Sequence, residues 1–208
     1  MPTLKAVLKD IKKDLKQKDK IRKDTHESMR QATSLSKQSI LLIHRKKIEE
    51  AKQMLQTAKD LITSLQTMGK EYPEIIYGGM LSAAQQEYSE AQIFFNLITE
   101  SRFIKPEEIN VPSVDYVLGL ADVIGEYRRY ALDALRVGDV KKGEEALEVM
   151  DEVFIELMAL DEAYMLVPGL RRKQDVARRI IETTRGDITL EVRRKSLEDQ
   201  LRRFEPAK

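Results

Sequence analysis

Three features of this 208-residue sequence predict an all-α fold. Apolar residues recur at three- and four-residue spacing over long stretches, and no stretch alternates apolar and polar residues as a half-buried strand does. Gly and Pro number only nine and six, mostly at places where helices could begin or end. Lys, Glu, Leu, Ala and Arg are abundant while Trp is absent, a helix-rich composition. The length allows one domain or two small ones at about 100–200 residues each. No linker is long enough to separate two, so residues 1–208 are expected to form a single all-α domain, a bundle of six or seven helices.

The first helix is marked by Leu4, Val7, Leu8, Ile11 and Leu15, with Lys5, Lys9, Lys12, Lys13 and Lys16 mostly on the other side. The helical pattern then runs with little punctuation from Ile21 to Met68, where Gly69 and Pro73 close it. A second long helix fits Pro73 to about Ser101, bent or delayed at Gly78-Gly79. Lys105-Pro106 and Pro112 bracket a short connector. Ser113 is suited to cap a helix reaching about Val137, with Asp115 in its first turn facing the helix dipole. Gly138-Asp139 supplies a stop and a new cap for helix 140–165, which Pro168-Gly169 ends. Two shorter helices, about 171–185 and 189–204, are expected on either side of Gly186-Asp187.

Composition also removes whole classes of function. An apolar fraction of 42% is enough for a packed core. The absence of Cys excludes disulfides, thiolate zinc sites, iron–sulfur clusters and a Cys nucleophile. No apolar run approaches the ~18 residues of a membrane span, and lysines occupy Met1–Leu15 where a secretory signal has its apolar core. The expectation is therefore a cytoplasmic protein with no membrane partner. No Gly-rich phosphate loop and no Gly-x-Ser-x-Gly elbow is present.

The net charge of +1 conceals a marked asymmetry. Residues 1–70 hold 17 basic and 8 acidic side chains, residues 71–170 hold 7 and 20, and residues 171–208 hold 12 and 7. Basic ends suit a polyanion and an acidic middle suits cations, while solvated helix faces account equally well for the charge alone.

Four carboxylates stand out by their surroundings. Between Ile75 and Thr99 the only charged residues are Glu87 and Glu90, and between Ile109 and Tyr127 only Asp115, Asp122 and Glu126. Glu87 and Glu90 are three apart and Asp122 and Glu126 four apart, so each pair shares a helix face. Neither Glu87, Glu90 nor Asp122 has a Lys or Arg within four residues along the chain. Chance alone yields about six acidic i,i+3 pairs in such a chain, so spacing is weak; the apolar context is the stronger signal. A carboxylate in an apolar helix must be protonated, paired or metal-bound. Four convergent oxygens suit Mg²⁺ or Mn²⁺, and the competing reading pairs them with distant arginines such as Arg128 or Arg171. A di-iron bundle would need Glu-x-x-His motifs, and neither His26 nor His44 has a Glu three residues before it.

The stretch Gln86-Glu87-Tyr88-Ser89-Glu90-Ala91, followed by the run from Val111-Pro112-Ser113 to Ala121-Asp122-Val123-Ile124-Gly125-Glu126, resembles the translin family. The likeness is sharpest to translin-associated factor X and its archaeal homologues over about residues 85–136, and helix order fits the whole chain. The 102–112 connector is shorter than the eukaryotic factor's. The resemblance implies a seven-helix fold, a closed octameric shell built here as a homo-oligomer, and metal-dependent endoribonuclease activity on single-stranded RNA held inside. It places the metal at Glu87, Glu90, Asp122 and Glu126, the first three also serving as catalytic residues, with Mg²⁺ or Mn²⁺ as cofactor. Activity on single-stranded DNA and a non-catalytic scaffold like translin itself stay open as alternatives, as does a more remote helical regulator that binds metal without nucleic acid.

An acidic site repels phosphate unless basic groups stand near it. His44, Arg45, Lys46 and Lys47 with Lys52 are the first candidates for RNA contact, and Arg128 and Arg129 the second. Tyr88 is expected as a core residue rather than a base-stacking platform, and Phe94 and Phe95 as core or subunit interface. The lysines of residues 5–20 are expected to face solvent.

Overall fold

The computed structural model describes residues 3–77, 79–160 and 165–204. Among the described residues there is no strand, and eight helices follow in order. They are α1 (Leu4–His44), α2 (Ile48–Met68), α3 (Pro73–Ile76), α4 (Gly79–Glu100), α5 (Pro106–Ile109), α6 (Ser113–Arg136), α7 (Val140–Met158) and α8 (Leu170–Phe204). The all-α expectation holds; α3 and α5 are single turns added to six longer helices. No described helix is long and apolar enough to cross a membrane. The chain forms two compact units, residues 1–116 and 117–208.

The first unit is built on the hairpin of α1 and α2. The sequence read as one helical run here because no Gly or Pro interrupts it. The break is made instead by Lys46, which adopts φ +60. Its N–H donates to the Ile43 carbonyl at 2.9 Å and the Lys47 N–H donates to Leu42 at 2.9 Å, which satisfies the last carbonyls of α1. From Thr25 onward α1 turns Met29, Ala32, Ser36, Ser39, Ile40 and Ile43 into the unit. The buried hydroxyls cost little, because Ser36 donates to the Ala32 carbonyl at 2.9 Å and Ser39 to the Ser36 carbonyl at 2.7 Å.

Against that face lie Leu55, Ala58, Ile62 and Leu65 of α2 and Leu81, Ala84, Tyr88, Ala91 and Phe94 of α4, all buried. Met29, Leu65, Ile76 and Leu81 form one packed cluster with Met68 and Ile75 at its edge. The expected long helix from Pro73 is divided into α3 and α4, with Gly79 opening the second; Gly78 lies outside the described residues. The connector to α6 folds into α5, closed by Asn110 at φ 54. It is tied to α2 by Gln66 Nε2 donating to the Asn110 carbonyl at 2.8 Å.

The second unit holds the rest of α6 with α7 and α8, the last two packed along each other. Gly138 takes φ +78 and the Asp139 carboxylate accepts from the Lys142 N–H at 3.1 Å, so α7 begins where the sequence predicts. It ends at Met158, short of residue 165, and residues 161–164 lie outside the described part. The two expected C-terminal helices are one, α8 running unbroken through Gly186-Asp187. A mid-helix Gly costs only about 1 kcal/mol, and the residues around it are anchored. Arg185 pairs with Asp151 of α7 at 2.7 Å, and Arg128 of α6 reaches Thr184 at 2.8 Å and Asp187 at 3.2 Å.

Candidate functional site

Glu87 and Glu90 lie on the same side of α4, as their spacing requires, but in different surroundings. Glu90 is buried at 9% exposure. The Glu87 side chain is 28% exposed and accepts from Lys37 Nζ of α1 at 3.0 Å. Asp122 of α6 accepts from Lys173 Nζ of α8 in the second unit. Glu126, one turn further along α6, is half-buried. Glu87 and Asp122 thus each meet a lysine from another helix. The competing reading expected arginines, and neither Arg128 nor Arg171 pairs with Glu87 or Asp122. Within neither unit, among the described residues, do three or more His, Asp or Glu side chains gather into a metal-holding group.

Asp115 is a residue whose role the sequence reading missed. In the first turn of α6 it is 5% exposed and accepts from Ser82 Oγ, with Gln86 Nε2 at 3.4 Å. Ser82 and Gln86 are one turn apart on α4, so this network fixes the first turn of α6 against the helix that carries Glu87 and Glu90. Burial pushes the Asp115 carboxyl above its ordinary range, opposed by the hydrogen bonds from Ser82 and Gln86. Its isolation among apolar residues was visible in the sequence, but the helix dipole explained it too readily.

The sign of the consequence follows from linkage. A carboxyl whose pKa is higher folded than unfolded contributes stability below its unfolded pKa and loses it as pH rises through the folded value. Asp115→Asn, which mimics the protonated side chain, should therefore be more stable than wild type at pH 7. The difference should shrink on acidification, read by urea denaturation of both proteins at pH 7 and pH 4. A variant destabilised at pH 7 would contradict this account of Asp115.

The basic candidates divide. Arg45, Lys46 and Lys47 are exposed at the α1–α2 turn, and Lys52 is exposed on the first turns of α2. Lys47 pairs with Glu50 at 2.8 Å. His44 is half-buried, its ring 5.0 Å from that of Phe94. Arg129 is exposed, whereas Arg128 is engaged with Thr184 and Asp187. Tyr88 is fully buried, its hydroxyl accepting from Gln92 at 2.9 Å and pushed up to about 12 by burial, so it offers no face to a base.

Residues 4–183 match the model of the translin family. The chain belongs to that family. An uncharacterised protein of Methanocaldococcus jannaschii is 32% identical over 193 residues, 92% of this chain and 85% of its own. The crystal structure of AfC3PO is similar with a TM-score of 0.78 at 37% identity, over 88% of this chain and 96% of that one. AfC3PO in complex with duplex RNA gives 0.79 at the same identity, over 88% and 95%. The apo-NeC3PO structure, 22% identical with a TM-score of 0.79 over 88% and 96%, shares the fold.

Proposed function

We propose that this protein is a metal-dependent endoribonuclease that binds and cleaves single-stranded RNA within a homo-oligomeric shell. The observation that carries the reading is the coincidence of translin-family membership with a complete acidic set. Glu87, Glu90, Asp122 and Glu126 are the set that the resemblance assigns to the metal, and all four are taken partly or wholly out of solvent. The structure of the similar AfC3PO chain has been solved as a complex with duplex RNA, which supports RNA as the ligand class.

The donor set fits a hard divalent cation, since all four groups are carboxylates and the chain has no Cys to offer a thiolate. Glu87, Glu90, Asp122 and Glu126 would hold Mg²⁺ or Mn²⁺. When bound, such a cation lowers the pKa of water and stabilises charge on a phosphoryl oxygen. The chain's own residues do the rest. Glu87, Glu90 and Asp122 orient the attacking water, and one of them accepts its proton. Lys37 and Lys173 donate to Glu87 and Asp122 and direct the two carboxylates. Arg45, Lys46, Lys47, Lys52 and Arg129, with His44 and Arg128 in supporting roles, attract and retain the phosphate backbone.

RNA affinity in EDTA should fall steeply with salt. Changing Arg45, Lys46 and Lys47 together to Ala should reduce the log–log salt slope by about 2, at about 0.7 per phosphate contact for single strands. An unchanged slope, measured by fluorescence anisotropy, would remove the α1–α2 turn from the interface. One observation favours a second reading, a non-catalytic scaffold that binds single-stranded RNA or DNA: Glu87 and Asp122 already have lysine partners. Adding Mg²⁺ to the preformed complex separates the two, because the nuclease then cuts its RNA and the scaffold merely holds it.

A further inference from the structure

The N-terminal part of α1 is longer than anything that supports it. Every residue from Thr3 to Gln17 is exposed. The nearest packing begins at Lys18, whose Nζ lies 3.5 Å from Glu74 of α3. The buried seam of α1 continues into this overhang with unchanged spacing: Leu4, Leu8, Ile11 and Leu15 extend the row that includes Thr25, Met29 and Ala32. These four leucine and isoleucine side chains are 48–74% exposed. A single helical stretch of this length is marginal in water by itself, and a continuous exposed apolar row marks a contact surface.

Beside the apolar row runs a second one. Lys5, Lys9, Lys12 and Lys16 share one side of the helix and span twelve residues, about 17 Å. None has an ion-pair partner among the described residues. The chain carries the complement elsewhere. Glu145, Glu148, Glu152 and Glu156 of α7 share one exposed face, also over twelve residues, with Ile155 beside them at 63% exposure. Among the described residues only Glu145 is paired, with Lys141 of its own helix at 3.4 Å.

We propose that the α1 overhang docks on the acidic face of α7 in a second copy of this chain. The inference rests on the homo-oligomeric reading above and names the surfaces that build it. The lysine row meets the glutamate row at matched length, and Leu8 and Ile11 close over Ile155. Such a contact joins two different surfaces, so it repeats head to tail and closes into a ring when the rotation permits. An anionic membrane is disfavoured as the occupant, because residues 4–20 contain no Trp, Phe or Tyr with which interfacial helices commonly anchor.

The test is a charge swap on the full chain, read as particle mass by sedimentation velocity. One variant carries Lys5→Glu, Lys9→Glu, Lys12→Glu and Lys16→Glu; the other carries Glu148→Lys, Glu152→Lys and Glu156→Lys. All substitutions are on exposed helix faces, and circular dichroism confirms retained helicity. Each variant alone should fall at least two-fold in mass, and an equimolar mixture should recover the wild-type mass. Leu8→Ser with Ile11→Ser should lower the mass without recovery in any mixture. Variants that each keep the wild-type mass, or that dissociate but do not recover on mixing, overturn this pairing while the oligomer itself stands. A monomeric wild type overturns both, and RNA binding and cleavage, measured separately, report on the nuclease reading alone.

Discussion

Glu87→Ala and Asp122→Ala should each reduce metal-dependent RNA cleavage on the order of a thousand-fold, the scale of losing a group that stabilises or positions reacting charge. The fold should hardly notice. Lys37 is 59% exposed and Glu87 28%, and Lys173 and Asp122 are 27% and 38% exposed. Ion pairs in that range contribute about 0–1 kcal/mol, and the freed lysine can turn to water. Activity and stability therefore separate at these positions. Single-turnover rates with labelled RNA, alongside urea denaturation of the same preparations, give both numbers. A loss of stability as large as the loss of rate would make the carboxylates structural, and undiminished cleavage would remove them from the chemistry.

Phe94→Ala should destabilise the protein by about 3–5 kcal/mol, the cost of emptying a fully buried aromatic site. Total stabilities are about 5–15 kcal/mol, so one substitution removes a large share. Phe94 lies one turn beyond Glu90 on α4 and its ring stands 5.0 Å from His44 at the end of α1. It thus helps to hold α4 against the helix that supplies Lys37 to Glu87. Chemical denaturation checks the value, and a cost below about 1 kcal/mol would mean that the pocket refills from neighbouring side chains.

The legible parts of the fold were those with local causes. Gly138-Asp139 announces the start of α7 because a left-handed stop and a side-chain cap are written in two residues. The α1–α2 turn was hidden because its left-handed residue is Lys46, held there by hydrogen bonds to the last carbonyls of α1 rather than by its own preference. Gly186 misled in the opposite direction: three interhelical contacts at Thr184, Arg185 and Asp187 keep α8 continuous across it. At the candidate site, Glu87 and Asp122 were conspicuous for lacking cations on their own helices. Lys37 and Lys173 could not be assigned to them, since no local spacing links residues on different helices. Asp115 was seen but misread, because burial and the contacts from Ser82 and Gln86 exist only in the folded chain.

The most direct test of the nuclease account is cleavage of a labelled single-stranded RNA by the wild-type protein in Mg²⁺, in Mn²⁺ and in EDTA, with Glu87→Ala in Mg²⁺ on the same gel. Products should form with either metal, with none in EDTA and none from the variant. A folded, RNA-binding wild type that leaves the RNA intact in both metals would contradict it, and cleavage that persists in EDTA would contradict the metal dependence.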